Sequence, residues 1–159
     1  MFDAPCGDLN WIGDVIDETG IAYIGGDVSE IALDAARARR HDLDVRFFDI
    51  RSDRFPEVDV WHCRDCLFHL SFADGLAALN NFAESNVPWA LITTNSARWL
   101  RNLDIETGGW RLIDLERPPY NLPRPELSLA DYPVGLEFPR FVSLWPRVAI
   151  AKSLRQYAL

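Results

Sequence analysis

Asp3-Ala4-Pro5-Cys6-Gly7-Asp8-Leu9-Asn10-Trp11 is the stretch on which the fold turns. Met1-Phe2 before it is apolar, and Trp11, Ile12, Val15 and Ile16 after it repeat at helical spacing. A strand is therefore expected to end at Asp3, a tight polar turn to follow, and a helix to begin. Asp8 or Asn10 can cap that helix, and Gly20 can end it.

The same alternation continues outward. Ile21-Ala22-Tyr23-Ile24 reads as a strand closing at Gly25-Gly26-Asp27. Ser29 is a helix N-cap with Glu30 in the first turn, and the alanine-rich run Ile31 to Arg40 forms the helix. Val45 to Phe48 is the next strand, ending at Asp49, and Val58 to Cys63 the one after. Ser71 caps a further helix, with Phe72, Leu76, Leu79 and Ala83 on one face, and Trp89 to Thr94 is the clearest strand of the chain. Strands alternating with helices predict an α/β fold, a mostly parallel central sheet covered on both sides.

After residue 95 the texture changes. Pro118, Pro119, Pro123, Pro125, Pro133, Pro139 and Pro146 rule out long helices and central strands over most of that stretch. Only Trp110 to Leu115 and Phe141 to Trp145 read as strands there. With 159 residues the chain fits one domain: a ligand-binding core over 1–95 and a sheet-completing, acceptor-side segment over 96–159.

A net charge of −8 repels nucleic acid, and the cluster Arg37, Arg39, Arg40 with His41 sits where a helix end favours cations. No run approaches the ~20 apolar residues needed to span a membrane. No basic start leads into an apolar run, so a cytoplasmic protein with no membrane partner is expected. Three cysteines make no disulfide framework. Cys63-x-x-Cys66-x-x-His69 with His62 beside it lacks the second ligand pair of a structural zinc site, so no metal is expected.

In a parallel sheet, ligands sit beyond the carboxyl ends of the strands. Asp3 to Asp8, Asp27, Asp49 and Cys63-Arg64-Asp65 all fall there. Gly7 lets the backbone approach a ligand. Asp27 follows Asp3 at close to the ~20-residue offset at which an acid reaches ribose hydroxyls. Asp49 can accept from an exocyclic amine, and Asp3 from a ligand ammonium. A dinucleotide would want Gly-x-Gly-x-x-Gly and a bare helix N-terminus for its pyrophosphate; the spacing is absent and Asp8 stands there instead. A nicotinamide-dependent oxidoreductase is therefore disfavoured, and a cationic nucleoside favoured.

Asp3 to Trp11 resembles motif I of class I methyltransferases, in a Pro-Cys-Gly-Asp variant known from bacteria. Gly25 to Ser29 is similar to the ribose-binding end of their second strand, Phe48-Asp49-Ile50 to the adenine-contacting turn, and Val60 to Ser71 to the fourth-strand motif. The resemblance covers residues 1 to about 95. It implies a three-layer αβα Rossmann-like fold with its first strand cut short, and S-adenosylmethionine as cofactor. Asp3, Pro5, Cys6, Gly7, Asp27, Val28, Asp49, Ile50, Cys63 and Arg64 would contact that cofactor. Asp65 and His69 are the candidates to take a proton from the acceptor, a small molecule or saccharide.

The family also carries a helix before its first strand. The competing reading is accordingly an inactive cofactor-binding or scaffold module without that cover. Gly108 to Arg111 and Pro118 to Pro123 are similar to a bacterial subgroup of the family. Arg117 to Tyr120 is expected to wall the acceptor pocket, with Trp110 and Tyr120 as stacking surfaces. Trp99 or Trp145 would mark a homo-oligomer face.

Overall fold

A computed structural model describes residues 1–96, 101–131 and 139–155; Trp99 and Pro133 lie outside these. Its elements run β1 (Phe2–Asp3), α1 (Ile12–Thr19), β2 (Ile24–Asp27), α2 (Glu30–Arg39), β3 (Asp44–Phe47), β4 (Val60–Cys63), a 3-10 turn (Leu67–His69), α3 (Phe72–Glu84), β5 (Trp89–Asn95), β6 (Leu127–Ala130), β7 (Arg140–Pro146) and α4 (Arg147–Arg155). The strands form one sheet in the order β3-β2-β1-β4-β5-β7-β6. The first five are mutually parallel, and β7 runs antiparallel to both its neighbours. Strand order reverses between β1 and β4, which is where a crevice for ligands opens.

Two cores sandwich the sheet. Ile12 and Ile16 of α1 and Leu33 and Ala36 of α2 pack with Tyr23 and Val45 on one face. Ala78, Leu79 and Phe82 of α3 and Ile150 of α4 pack with Phe2, Phe48, Phe55, Trp61 and Trp145 on the other. The aromatic rings of that second core meet edge to face, Phe2 on Phe48 at 4.7 Å and Phe55 on Trp61 at 5.2 Å between centroids. Such pairs contribute about 0.5–1.5 kcal/mol each beyond the area they bury.

β1 is two residues long yet central, paired with β2 through Phe2↔Ile24 and with β4 through Phe2↔Trp61. Its hydrogen bonding continues into the turn, where the Ala4 N–H donates to His62 and the Cys6 N–H to Gly26.

Several elements depart from the sequence expectation. β2 starts at Ile24, not Ile21, and Gly25-Gly26 lies inside the strand instead of ending it. The reason is crowding: a Cβ on Gly26 would stand 2.8 Å from the Phe2 ring and from the Phe48 Cβ. Helix α1 has Trp11 at its N-cap with no side-chain cap, while Asp8 accepts from the Asn10 N–H; Gly20 ends it with φ 63°, as expected. Helix α3 is capped by Ser71 but buries Gly75, Ala78, Leu79 and Phe82, so its inner face is rotated from the expected one.

The C-terminal third differs most. Residues 110–115 are not a strand. They are tied to the tip of β5 by side chains, with the Asn95 amide oxygen accepting from Ile113 N–H and the Thr94 hydroxyl from Leu115 N–H. β6 and α4 carry no strong pattern in the sequence; β6 is an exposed four-residue edge strand. Trp145, expected at an oligomer face, is fully buried, and its indole N–H donates to Pro123. Tyr120 is fully buried too, its hydroxyl accepting from Arg111, so it offers no stacking surface; Trp110 is 63% exposed. Among the described residues no helix is long and apolar enough to cross a membrane.

The two glycines Gly13 and Gly26 should respond in opposite directions to alanine. Gly26→Ala overpacks the Phe2–Phe48 contact and should cost about 1–3 kcal/mol. Gly13→Ala adds a Cβ at an ordinary 3.7 Å from Arg40 within α1, and should gain about 0.5–1 kcal/mol. Urea melts of the three proteins read both.

Candidate functional site

The crevice beyond β1, β2 and β3 holds a cavity of about 130 Å³. Pro5 lines it from the first turn, Asp27 and Val28 from the end of β2, and Phe48, Asp49, Ile50 and Arg51 from the end of β3. Cys66 and Leu70 flank the 3-10 turn, and Thr107 reaches in from the C-terminal segment. Of the residues expected at a cofactor, Pro5, Asp27, Val28, Asp49 and Ile50 are therefore brought together on one wall.

Asp27 is the organising group. Its Oδ2 accepts from the Gly7 N–H at 2.9 Å and its Oδ1 from the Ser29 N–H at 2.9 Å. Gly7 presents that N–H with φ 59°, a conformation that costs glycine nothing. Each carboxylate oxygen has two acceptor sites, so one on each remains for a ligand. Beside it Val28, Phe48 and Ile50 supply apolar wall. A carboxylate with two spare acceptors next to an apolar slot matches a vicinal diol attached to a flat base.

The other two rim acids are engaged differently. Asp3 is buried, with Oδ2 accepting from the Tyr23 hydroxyl at 2.8 Å and Oδ1 2.7 Å from His62 Nδ1. It ties β1 to β4 and to the residue before β2, is 2% exposed, and does not line the cavity. Asp49 is clamped by Arg51, whose Nε lies 2.9 Å from Oδ1 and Nη2 2.7 Å from Oδ2, with the Arg51 N–H also donating to Oδ1. Its carboxylate is filled, so no acceptor remains for an exocyclic amine. That same clamp holds the Asp49 carboxyl below the usual carboxylate range.

The two sulfur-bearing candidates are inward. Burial, then the Asp27 and Asp3 charges, pushes the Cys6 thiol up to about 12, which keeps it neutral. Cys63 is fully buried in the α3-side core and its thiol is likewise raised, chiefly by burial. Any ligand contact at Cys63 would thus be through its backbone.

Arg64, Asp65 and His69 sit outside the cavity, the first two just past the end of β4 and His69 in the 3-10 turn. Arg64 forks onto Asp131 at 3.2 and 3.0 Å and lies 4.7 Å over the Trp11 ring. It is therefore a brace between the first turn and β6. Asp65 is held at φ 54°, its N–H donating to the Thr93 hydroxyl at 3.0 Å and its carboxylate 3.3 Å from Arg140. His69 Nδ1 is 2.7 Å from the Gly109 carbonyl. A carbonyl only accepts, so Nδ1 carries the proton and Nε2 is the basic nitrogen of the neutral ring.

Thr107 and Arg51 were missing from the expected site. Arg51 was hidden because an arginine two residues past an aspartate reads as an ordinary surface pair. Thr107 arrives from an aperiodic loop, for which the sequence carries no local signal.

No protein-family model matches the chain, and no curated relative does. Solved structures do. DesVI of Streptomyces venezuelae aligns with TM-score 0.50 over 57% of this chain at 25% identity; this chain spans 40% of DesVI. A TehB-like SAM-dependent methyltransferase from Corynebacterium glutamicum aligns with TM-score 0.60 over 90% of this chain and 77% of its own, at 21% identity. Magnesium protoporphyrin IX methyltransferase (ChlM) from Synechocystis PCC 6803, with bound SAH, aligns with TM-score 0.67 over 92% of this chain and 73% of its own, at 12% identity. These likenesses show the fold, the Rossmann-like one of S-adenosylmethionine-dependent methyltransferases.

The Asp49–Arg51 clamp should leave a pH signature. A carboxyl lowered in the folded state contributes stability that is present above its unfolded value of about 3.9 and is lost as pH falls through the folded value. Asp49→Asn should therefore lower the melting temperature at pH 7. The gap to wild type should begin to narrow as pH drops below about 4 and close once pH lies below the lowered folded value. A gap unchanged between pH 7 and pH 3 in parallel thermal melts would mean that the clamp contributes nothing through its charge.

Proposed function

We propose that the chain binds S-adenosylmethionine in this cleft and transfers its methyl group to a small-molecule or saccharide acceptor. The observation that carries the reading is Asp27. Its carboxylate is pinned by two backbone N–H groups, keeps an acceptor site on each oxygen, and borders the apolar wall of Val28, Phe48 and Ile50. That is what a ribose diol and an adenine ring require. The fold supports it, since the similar structures include one methyltransferase named for this cofactor and one holding its demethylated product. A net charge of −8 suits a cationic ligand and disfavours a nucleic-acid acceptor.

Bound there, S-adenosylmethionine supplies an already activated methyl on a sulfonium, so catalysis is chiefly positioning. Pro5 and Gly7 shape the turn over which the ligand lies. Asp65 and His69 stand on the acceptor side. The His69 Nε2 can accept a proton from a hydroxyl acceptor, while the Asp65 carboxylate is paired with Arg140.

A second reading, a cofactor-binding module without turnover, is favoured by the open rim. Val28 lines the cavity yet is 55% exposed.

Calorimetric titration with S-adenosylmethionine and S-adenosylhomocysteine tests the reading. Both should bind, and Asp27→Ala should weaken them about 10- to 100-fold, the worth of charge-assisted hydrogen bonds. Unchanged affinity removes the ribose assignment. Tight binding with no methyl transfer to any hydroxyl or amine acceptor supports the second reading instead.

A further inference from the structure

Thr107 lies far from the cofactor motifs in sequence, yet it lines the same cavity as Asp49 and Arg51. It belongs to a strap, residues 104–109, fastened across the start of α3 and the 3-10 turn. At one end the Asp104 carboxylate accepts from the Phe72 N–H at 2.7 Å. At the other the Gly108 N–H donates to the His69 carbonyl at 2.8 Å, and the Gly109 carbonyl accepts from His69 Nδ1. In the middle the Thr107 hydroxyl accepts from the Ser71 N–H at 3.0 Å and donates to Asp74.

Asp74 faces two ways. One carboxylate oxygen receives Thr107, and the other lies 3.1 Å from Arg51 Nη1. Arg51 in turn holds Asp49 through Nε and Nη2. A continuous chain of polar contacts thus runs from the nucleoside wall, through Asp49, Arg51 and Asp74, to the strap. The helix does not need Asp74 for its own start, because the Ser71 hydroxyl caps α3 by accepting from the Asp74 N–H. With Thr107 and Arg51 both donating to it, the Asp74 carboxyl is held below its ordinary value and stays ionised at neutral pH. Histidine His69, a candidate proton acceptor, is fixed by the same strap through Gly109.

We propose that Asp74 is a positioning residue: through Arg51 it sets the Asp49 side of the cleft, and through Thr107 it clamps the 104–109 strap over the bound nucleoside. Occupancy of the cleft and the placement of His69 are thereby linked. The inference rests on the cofactor reading above and adds to it Asp74 and Thr107, which lie outside the cofactor motifs.

Amide hydrogen exchange on the full chain, with and without S-adenosylhomocysteine, tests it. In the wild type the ligand should slow exchange at Gly7, Val28 and Ile50 and also at Thr107 to Gly109. In Asp74→Ala the ligand-dependent slowing of the strap should vanish while that at Gly7, Val28 and Ile50 persists at saturation. The dissociation constant should rise about two- to fivefold, the range of a small exposed polar network. Thr107→Val should reproduce the effect with every charge in place, and Thr107→Ser should restore wild-type behaviour. Slowing at Gly7, Val28 and Ile50 with an unresponsive wild-type strap overturns the proposal alone. So does an Asp74→Ala protein whose strap loosens equally with and without ligand at unchanged affinity. No slowing at any of these amides overturns the cofactor reading, and this inference with it.

Discussion

The Asp27 carboxylate is the constraint on which the cleft depends. Its two oxygens take the Gly7 and Ser29 N–H groups, so one side chain fixes both the turn after β1 and the start of α2. Without it, the Gly7 N–H would point into a partly buried space with no partner, and an unsatisfied donor of that kind costs about 1–3 kcal/mol. Asp27 can do this only because β2 runs close under the turn. The closeness comes from Gly25 and Gly26, which leave room for the Cys6 side chain on one face and Phe2 and Phe48 on the other. Small residues in the strand thus bring the backbone within reach, and the carboxylate then ties what has been brought together.

Acids crowded along one rim do not all serve the same end. Asp3, Asp27 and Asp49 stand at the carboxyl ends of three adjacent strands, but each finds a different environment. Asp3 is sealed below the surface by Tyr23 and His62, where a buried carboxylate must be paired. Asp49 is filled by Arg51. Asp27 alone of the three is partnered by backbone donors that leave its outer lone pairs available. Its availability follows from geometry and place: two N–H groups approach one on each oxygen at the cavity wall, whereas a guanidinium fork covers both Asp49 oxygens and Asp3 is sealed in the core.

The strand–helix alternation over residues 1–95 was legible because each element there carries its own period, cap or apolar run. Ser29 and Ser71 cap their helices and Gly20 ends α1 as the local chemistry dictates. Gly25-Gly26 misled because glycine marks turns far more often than it marks a crowded strand, and what crowds it, Phe2 and Phe48, is distant in sequence. The C-terminal third was illegible for a related reason. Its order rests on single buried side chains: the Asn102 amide donates to Asp114 and Pro118 carbonyls and accepts from the Asp114 N–H, and Asn95 and Thr94 secure Ile113 and Leu115. Bonds of that kind leave no periodicity to read. In the cleft, Asp27, Val28 and Ile50 were visible as strand-end residues, while the partners that occupy Asp3 and Asp49 required coordinates.

A segment pinned at separate points, not along a ladder, has a functional consequence. A β-ladder propagates rigidity along its whole length, so a disturbance at one rung is shared with its neighbours. The run from Asp104 to Leu115 is instead pinned at discrete points: Asp104 on Phe72, Thr107 on Ser71, Gly109 on His69, Arg111 on Phe68, Ile113 on Asn95. The pins at residues 104–109 are exposed contacts with little apolar area behind them, whereas Arg111 is buried and Ile113 and Leu115 fully so. Local opening free energy therefore rises along the segment, from low at residues 104–109 to high at 113–115. The part that can open cheaply is the part over the cavity, and the part that cannot is the part anchoring it to β5. A surface anchored at one end and lightly fastened at the other can admit a ligand to the cleft without unfolding the sheet beneath it.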